Sequence, residues 1–125
     1  MSDPHDSSAK VVQTYYDILK QAKDSSDLAG LRAVLDPDLA FEGPISGHQV
    51  GAESFITGVS GFVETMRSMD FLHQLSVGDR AATLYYAEMP GGSVRFAELF
   101  QVERGKIRSL RLLYDAARYG DRAGR

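Results

Sequence analysis

Apolar and polar residues alternate most regularly in the stretch from residue 94 to residue 115. The first run of alternate positions consists of Val94, Phe96, Glu98, Phe100 and Val102. The second run consists of Ile107, Ser109, Arg111, Leu113 and Asp115. A period of two is typical of strands that bury one face, and the Arg104-Gly105 pair between the runs suits a hairpin turn. The pattern therefore predicts two antiparallel strands joined at these two residues.

The predicted register of this hairpin brings three ionisable side chains onto its apolar face. With Val102 opposite Ile107, the pairs that follow are Phe100 with Ser109, Glu98 with Arg111, and Phe96 with Leu113. Glu98, Arg111 and Asp115 then share the face that should be buried. A buried carboxylate costs free energy unless it is paired or used, so we expect the chemistry of the protein on this hairpin.

Helical periodicity dominates the first half of the chain. A first helix is predicted after a cap at Ser7 or Ser8, with apolar positions Val11, Val12, Tyr15, Tyr16, Ile18, Leu19 and Ala22. A short second helix, capped by Ser25 or Ser26, carries Leu28, Leu31, Val34 and Leu35 and ends at Asp36-Pro37. A third helix over residues 52–66 places Phe55, Ile56, Val59, Phe62, Val63 and Met66 on one side. Its two glycines, Gly58 and Gly61, either thin a pocket wall or allow a close packing contact.

The remaining segments predict short strands. Leu39 and Phe41 indicate a strand that precedes a loop over residues 43–51. Residues 71–77 and 80–89 alternate with period two and predict two further strands. With the hairpin they form a four-stranded antiparallel meander, and the extra strand lies between the second and third helices. Helices on one face of a curved antiparallel sheet make an α+β fold. We expect a single domain over residues 9–118, with tails at residues 1–8 and 119–125.

The composition narrows the class of protein. A chain of 125 residues suits one domain and buries roughly two-thirds of the surface of its unfolded chain. A net charge of −3 disfavours nucleic acids and anionic membranes as main partners. The lack of Cys excludes disulfides, thiolate metal sites and a Cys nucleophile. No apolar run approaches the ~20 residues of a membrane span, and residues 1–10 lack the apolar core of a signal peptide, so a cytoplasmic protein is expected.

Three stretches resemble the nuclear-transport-factor-2-like superfamily, in particular its SnoaL-like and ketosteroid-isomerase-like members. Residues 16–31 resemble the first two helices of the family, with Asp27 before the second helix. Residues 35–51, LDPDLAFEGPISGHQVG, resemble its strand-turn-Gly segment, and residues 100–115, FQVERGKIRSLRLLYD, resemble its terminal hairpin. The resemblance implies a cone-shaped fold in which a curved sheet wraps around about three helices and encloses a pocket. It implies no single function, because the superfamily includes isomerases, cyclases, epoxide hydrolases and transport adaptors.

The resemblance also implies roles for individual residues. Members that cyclise polyketides place an acid/base carboxylate at the position that matches Asp115. Ketosteroid isomerases place a protonated carboxylic acid at the position that matches Glu98, and a Tyr that either Tyr15 or Tyr16 would match. Their catalytic base corresponds to Gly43 in this chain. Steroid isomerisation by that mechanism is therefore not expected.

Other catalytic classes match less well. Epoxide hydrolases of the superfamily resemble the chain at Asp115 but also need an Arg and an Asp two residues apart on an earlier strand, which residues 81–87 lack. The sequence has no phosphate-binding Gly loop and no Ser-centred nucleophile elbow. A metal site built from His48, His73 and a carboxylate lacks supporting spacing. Neither a metal nor an organic cofactor is therefore expected.

Each candidate residue has a structural interpretation beside the functional one. Asp115 is either a proton shuttle in an apolar cavity or a strand-end cap of the next turn. Glu98 and Arg111 form either a structural ion pair or a unit that orients or anchors a ligand. His73 either lines the pocket as a titratable group or is a hydrogen-bonded core residue. Tyr16 either donates to a ligand oxygen or packs in the core.

The sequence as a whole predicts a cofactor-independent general acid/base enzyme, of isomerase, cyclase or hydrolase type, for a small and largely apolar molecule that carries oxygen. Its predicted catalytic residues are Asp115, Glu98, Arg111, Tyr16 and His73. The predicted ligand-binding residues are Tyr15, Phe41, Phe55, Val59, Phe62, Tyr85, Phe96 and Leu113. The alternatives are a dimeric protein that binds a ligand or is purely structural, and a protein-interaction adaptor. A homodimer is expected through the outer sheet face, to which the predicted register assigns Leu84, Tyr86, Leu99, Leu110, Leu112 and Tyr114.

Overall fold

A computed structural model describes residues 4–25 and 27–122, with side chains from residue 8 onward. The ends of the two predicted tails, residues 1–3 and 123–125, the proposed cap Ser26 and the side chain of the proposed cap Ser7 lie outside this description. The helices are α1 (Pro4–Ser25), α2 (Leu31–Val34), α3 (Ala52–Thr65) and α4 (Ala116–Arg122). The strands are β1 (Leu35–Gly43), β2 (Gly47–Val50), β3 (Ser68–Val77), β4 (Arg80–Met89), β5 (Gly92–Glu103) and β6 (Lys106–Leu113).

The strands form one curved sheet in the order β2-β1-β6-β5-β4-β3. Strands β3 to β6 make the predicted antiparallel meander. Strand β1 lies parallel to β6, and β2 folds back along β1 as an antiparallel edge strand. Helices α1 and α3 pack against the inner face of the sheet. The α+β class and the cone-shaped architecture are therefore confirmed.

The core lies between α1, α3 and the inner sheet face. Helix α1 buries two adjacent tyrosines, Tyr15 and Tyr16, which are 1% and 0% exposed, because its apolar residues spread over more than one helical stripe. On β5, alternate residues from Val94 to Val102 are buried and those between them are not. Strand β4 repeats this pattern beside it. The two-residue period of the sequence thus identified the buried face of both central strands.

The register of the β5–β6 hairpin differs from the prediction after its first pair. Val102 does lie opposite Ile107, and the turn has two residues with positive φ, Arg104 (55°) and Gly105 (78°), as a two-residue hairpin turn requires. A β-bulge follows, at which Arg108 has no partner. Beyond it the pairs are Gln101 with Ser109, Phe100 with Leu110, Leu99 with Arg111, Glu98 with Leu112, and Ala97 with Leu113.

The bulge reverses the two faces of β6 from residue 109 onward. One extra residue moves every later side chain to the opposite face. The inner face therefore receives Leu110 and Leu112, whereas Arg111 and Leu113 point outward. The predicted register was wrong. An unbroken alternation would have buried the charged Arg111, whereas the bulge places Leu110 and Leu112 on the inner face instead.

Several segment boundaries also differ from the prediction. Helix α1 begins at Pro4, inside the segment predicted as an N-terminal tail, and α4 occupies residues 116–122, most of which were predicted as a C-terminal tail. The predicted loop after β1 contains a further strand, because Gly47–Val50 pairs with residues 40–43. Among the described residues, no helix combines the length and the hydropathy needed to cross a membrane.

Candidate active site

An internal cavity of about 260 Å³ lies between the helices and the inner face of the sheet. Its walls are largely aromatic and aliphatic, and the one carboxylate deep inside it belongs to Glu98. The described residues that line it are Tyr15, Leu19, Phe41, Glu42, Gly43, Ile45, Ser46, Phe55, Gly58, Val59, Phe62, Tyr85, Phe96, Glu98, Leu110, Leu112, Tyr114 and Tyr119. A polar group of this kind in an apolar pocket is typical of a small-molecule site.

Glu98 is positioned by the pleat of β5, which directs its side chain inward with those of Phe96 and Phe100. Only 3% of Glu98 is exposed. The hydroxyl of Tyr16 donates a hydrogen bond to Glu98 Oε1 over 2.7 Å. The phenol of Tyr85 lies close enough to this carboxyl group to favour its charged form. Side chains from α1 and β4 therefore surround the carboxyl group at the cavity wall.

Burial raises the pKa of Glu98 from its ordinary value of 4.5 to about 7. Removal from water disfavours the charged carboxylate, and this effect exceeds the opposite effect of the phenols of Tyr16 and Tyr85, which favour the charged form. At neutral pH the group can therefore either accept or donate a proton. Such a pKa is suited to general acid/base catalysis.

The two adjacent tyrosines of α1 have different positions relative to the cavity. Tyr15 lines it, whereas Tyr16 packs behind Glu98 with its ring 4.8 Å from that of Phe71. Burial and the nearby Glu98 raise the pKa of both phenols well above 10.0. Both hydroxyls therefore stay protonated and can act as hydrogen-bond donors.

Tyr16→Phe should raise the pKa of Glu98 further, above about 7. The substitution removes a donor that favours the carboxylate and keeps the buried ring. The measurement is the ¹³C chemical shift of the Glu98 carboxyl carbon as a function of pH. The matched control is Tyr15→Phe, which removes a phenol that is equally buried but does not donate to Glu98. A pKa that rises no more in Tyr16→Phe than in this control would contradict the assignment.

The predicted burial of Asp115 in the cavity is wrong. Asp115 is exposed, and its Oδ1 accepts a hydrogen bond of 3.1 Å from the backbone N–H of Arg118. The Asp115 carbonyl also accepts from the N–H of Tyr119, over 2.9 Å. Asp115 thus caps helix α4, which was its structural interpretation. The bulge at Arg108 is part of the reason, because it puts Asp115 out of phase with the buried residues of β6.

The predicted pairing of Glu98 with Arg111 is also wrong. Arg111 lies on the outer sheet face, where its Nε is 3.3 Å from Glu42 Oε1 and the two side chains are 60% and 47% exposed. An ion pair this exposed contributes little to stability. Leu113 lies on the same outer face, is 51% exposed, and does not line the cavity. Both residues are displaced from the predicted site by the β6 bulge.

A second bulge removes His73 from the predicted site. The register of β3 shifts between Phe71 and His73, so Phe71 packs inward against Tyr16 whereas His73 lies opposite Leu84 on the outer side and is exposed. Its predicted location in the pocket is therefore wrong. His48 is also exposed. Among the described residues, no group of three His, Cys, Asp or Glu side chains is arranged to hold a metal ion.

The aromatic side chains of the predicted binding set do come together. Apart from Leu113, every residue in that set lines the cavity: Tyr15, Phe41, Phe55, Val59, Phe62, Tyr85 and Phe96. Their binding of a ligand stays a prediction. Gly58 also lines the cavity, and a Cβ atom there would meet nothing within 4 Å. This agrees with the interpretation of Gly58 as a thin part of the wall, whereas Gly61 is exposed and not among the lining residues.

Sequence reasoning missed one end of the cavity. Leu110, Leu112 and Tyr114 were assigned to the outer face but line the interior, because they follow the bulge. Tyr119, on α4, was placed in a tail yet packs 5.3 Å from the ring of Tyr114. The available signal was the spacing of Ile107, Leu110, Leu112 and Tyr114. These residues share one face only if a residue is inserted after Ile107.

The comparison with protein families gives a match to the SnoaL-like domain over residues 12–110. This range includes both tyrosines of α1 and the whole of β5. No curated protein matches the chain in sequence.

Solved structures share the fold at low sequence identity. An NTF2-like protein of unknown function from Mesorhizobium loti aligns with a TM-score of 0.76 at 21% identity, over 93% of this chain and 97% of that chain. A steroid delta-isomerase from Pseudomonas aeruginosa aligns with a TM-score of 0.77 at 16% identity, over 94% and 89%. A de novo designed protein with a curved β-sheet gives a TM-score of 0.77 at 20% identity, over 94% and 90%. Proteins of such different origin share this architecture, so the likeness shows the fold alone.

Proposed function

Because the chain belongs to the SnoaL-like domain family, we propose that it is a cofactor-independent enzyme that moves a proton on a small, largely apolar, oxygen-containing molecule. Glu98 is the group that exchanges the proton. Isomerase-type chemistry is favoured, because a single carboxyl group can take a proton from one carbon and return it to another. Asp115, Arg111 and His73 have no part in this proposal, since none of them lines the cavity.

The observation that supports the proposal most strongly is the environment of Glu98. A carboxyl group that is 3% exposed carries a desolvation cost that evolution can avoid with an apolar residue. Here it is retained at the wall of a cavity, accepts a hydrogen bond from Tyr16, and has its pKa raised to about 7 by burial. A titratable group with a pKa shifted in this way, in a cavity, is a candidate catalytic group.

The neighbouring phenols supply the second requirement of such chemistry. Abstraction of a proton beside a carbonyl places negative charge on the carbonyl oxygen, and a donor in a dry site stabilises that charge. Tyr15 and Tyr85 both line the cavity with Glu98 and remain protonated, because burial raises their pKa well above 10.0. Tyr16 lies outside the lining and acts as a positioning residue for Glu98.

The direct test is exchange of carbon-bound hydrogen in D₂O. The protein is incubated at neutral pH with a panel of small apolar ketones and enones, and loss of the signal of the proton beside the carbonyl is followed by ¹H NMR. Exchange that exceeds the buffer rate for at least one compound is the expected result. If every compound that binds in the cavity exchanges at the buffer rate, the enzyme proposal fails.

One observation favours a non-catalytic alternative. The Glu98 carboxyl group already accepts a hydrogen bond from Tyr16 of the protein itself, which partly satisfies its need for partners. In a ligand-binding protein, the cavity would hold the molecule with no chemical step. The same NMR experiment separates the two, because ligand binding seen as line broadening without hydrogen exchange would support the alternative.

We also propose that the protein forms a homodimer through the outer sheet face. A depression of about 610 Å³ lies there, and the residues lining it include Leu75, Val77 and Leu99, which are 65%, 72% and 44% exposed. It also contains charges of both signs, in Glu42 and Arg111. A two-fold axis pairs such a surface with itself, so that opposite charges and apolar side chains of two copies meet. Of the predicted interface residues, Leu112 and Tyr114 line the interior and not the depression, and Leu110, which borders both, is only 2% exposed.

Leu99→Arg should weaken this dimer by at least about 100-fold, because each copy then places a like charge against the other. The measurement is sedimentation velocity across a range of protein concentrations. Leu72→Arg is the matched control, since Leu72 is 45% exposed and does not line the depression. A wild-type protein that stays monomeric at all micromolar concentrations would refute the dimer.

A further inference from the structure

The volume of the cavity indicates how much of a molecule it can enclose, although the cavity is partly open to solvent where Ile45 is 63% exposed. An engineered cavity of roughly 150 Å³ in another protein holds one molecule of benzene. The cavity here measures about 260 Å³, which corresponds to two fused six-membered rings. A molecule of four fused rings needs considerably more space.

The walls favour a flat, unsaturated ligand. The rings of Tyr85 and Phe96 are nearly parallel, with centroids 5.3 Å apart and an angle of 15°. The rings of Phe41 and Phe55 meet edge to face at 5.2 Å and 70°. All four line the cavity. Aromatic rings attract other aromatic rings in stacked or edge-to-face geometry beyond the effect of buried area alone.

The charges of the cavity exclude an anionic ligand. Its lining contains two carboxyl groups, those of Glu98 and Glu42, and among the described lining residues there is no Lys, Arg or His. Glu42 pairs with Arg111 on the outer side, whereas among the described residues the hydrogen-bond partner of Glu98 is the phenol of Tyr16. A carboxylate or phosphate would enter with no opposite charge to compensate its loss of water. A neutral hydroxyl or carbonyl can bind beside Glu98, Tyr85 and Tyr15.

Two tyrosines, Tyr114 and Tyr119, line the cavity on one side of Glu98. Phe96 lies two residues from Glu98 along β5, or about 7 Å, and its ring is 5.1 Å from that of Tyr114 and 6.1 Å from that of Tyr119. Helix α4 carries Tyr119 and is held against the β4–β5 turn, where the N–H of Gly91 donates to the carbonyl of Arg122 over 2.8 Å. A longer molecule would therefore meet the ring of Tyr119.

We propose that the substrate of this site is a neutral, planar molecule of two fused rings with one hydroxyl or carbonyl oxygen at its edge. The oxygen lies beside Glu98 and Tyr85, the rings lie against the aromatic walls, and Tyr119 sets the limit of length. The word substrate rests on the proposed enzymatic function. The size, charge and shape of the ligand rest on the cavity alone.

The test is direct binding of a graded series of compounds to the full-length protein by isothermal titration calorimetry at pH 7. The reference compound is 2-naphthol, and each comparison changes one property: phenol for size, decahydro-2-naphthol for planarity, 2-naphthoate for charge and a four-ring phenolic steroid for length. We expect 2-naphthol to bind at least about tenfold more tightly than each of the others. It is the one compound of the series that is neutral and flat and also matches the cavity in size.

A variant tests the limit of length separately. Tyr119→Ala should bind the four-ring compound at least about tenfold more tightly than the wild type, because removal of the ring opens the end of the cavity. The ratio of the affinity for the four-ring compound to the affinity for 2-naphthol should therefore rise at least about tenfold in the variant. Tyr86→Ala is the matched control, since Tyr86 lies on the outer face beside Arg95 and its loss should alter neither affinity. Thermal unfolding of each variant shows that it is folded.

Two outcomes overturn the proposal. The first is a wild-type affinity for the naphthoate, the decahydro compound or the four-ring compound that equals the affinity for 2-naphthol. The second is the absence of binding by any neutral two-ring compound. Selective binding of 2-naphthol without hydrogen exchange on the corresponding two-ring ketones would leave the ligand class intact and refute the enzymatic function. Hydrogen exchange on ketones, together with equal affinity for compounds of different ring number, would support the enzymatic function and refute the proposed ligand class.

Discussion

Glu98→Gln is expected to lower the rate of proton transfer by about 10²- to 10⁴-fold, which is the usual contribution of one general acid or base. Gln has nearly the size of Glu, and its carbonyl oxygen can still accept the hydrogen bond that Tyr16 donates over 2.7 Å. It cannot take up or release a proton. The variant therefore removes the chemistry and retains the shape of the site.

The wild-type rate should also depend on pH in a way that the variant does not share. Where the step is removal of a proton from the substrate, the rate should rise through pH 7, because the carboxylate of Glu98 forms at its pKa of about 7. The measurement is the initial rate of hydrogen exchange between pH 5 and pH 9. Glu103→Gln is the matched control, because Glu103 lies on the same strand but pairs with Arg108 at 3.1 Å outside the cavity. A Glu98→Gln protein that keeps more than a third of the wild-type rate would assign the proton transfer to another group.

The second large effect concerns the dependence of stability on pH. The folded state raises the pKa of Glu98 from 4.5 to about 7, so it binds the proton more tightly than the unfolded chain does. The favourable contribution of this proton is fully present below pH 4.5 and is lost as the pH rises through 7. The loss in the free energy of unfolding amounts to roughly 3 kcal/mol, from a pKa difference of about 2.5 units at 1.36 kcal/mol each.

Urea unfolding at intervals between pH 4 and pH 9 would measure this loss. Other carboxylates contribute their own dependence on pH, so the informative quantity is the difference between Glu98→Gln and the wild type at each pH. This difference should shift by roughly 3 kcal/mol in favour of the variant across the range. The free energy of unfolding of Glu103→Gln should instead depend on pH in the same way as that of the wild type. A difference that stays constant from pH 4 to pH 9 would show that Glu98 is not desolvated in the folded protein.

The sequence predicted the burial of Glu98 correctly but not its partners. The alternation of Val94, Phe96, Phe100 and Val102 left the side chain of Glu98 only the inner face, because successive residues of a strand point to opposite sides. The partner residues belong to other elements. Tyr16 is separated from Glu98 by 82 positions in the chain, and the identification of this pair required the packing of α1 on β4 and β5.

The aromatic lining was predictable for a similar reason. Phe55, Val59 and Phe62 recur at helical spacing on α3, and an apolar stripe on a helix faces the core. Tyr85 and Phe96 alternate on strands whose buried face is unambiguous. The position of Tyr119 depended on where the chain turned after β6, which no local pattern indicated.

The sequence by itself determined the α+β class, the central hairpin with its turn at Arg104-Gly105, and the inward direction of Glu98. Each of these follows from a short-range rule of period or turn geometry that operates within a few residues. Only the tertiary structure decided that Arg108 forms a bulge, that Arg111 and Leu113 face outward and that Asp115 caps α4. Beyond a bulge, the choice of which alternate residues point inward is set by which of the two faces of the strand fills the core better. That comparison involves side chains from every element around the cavity.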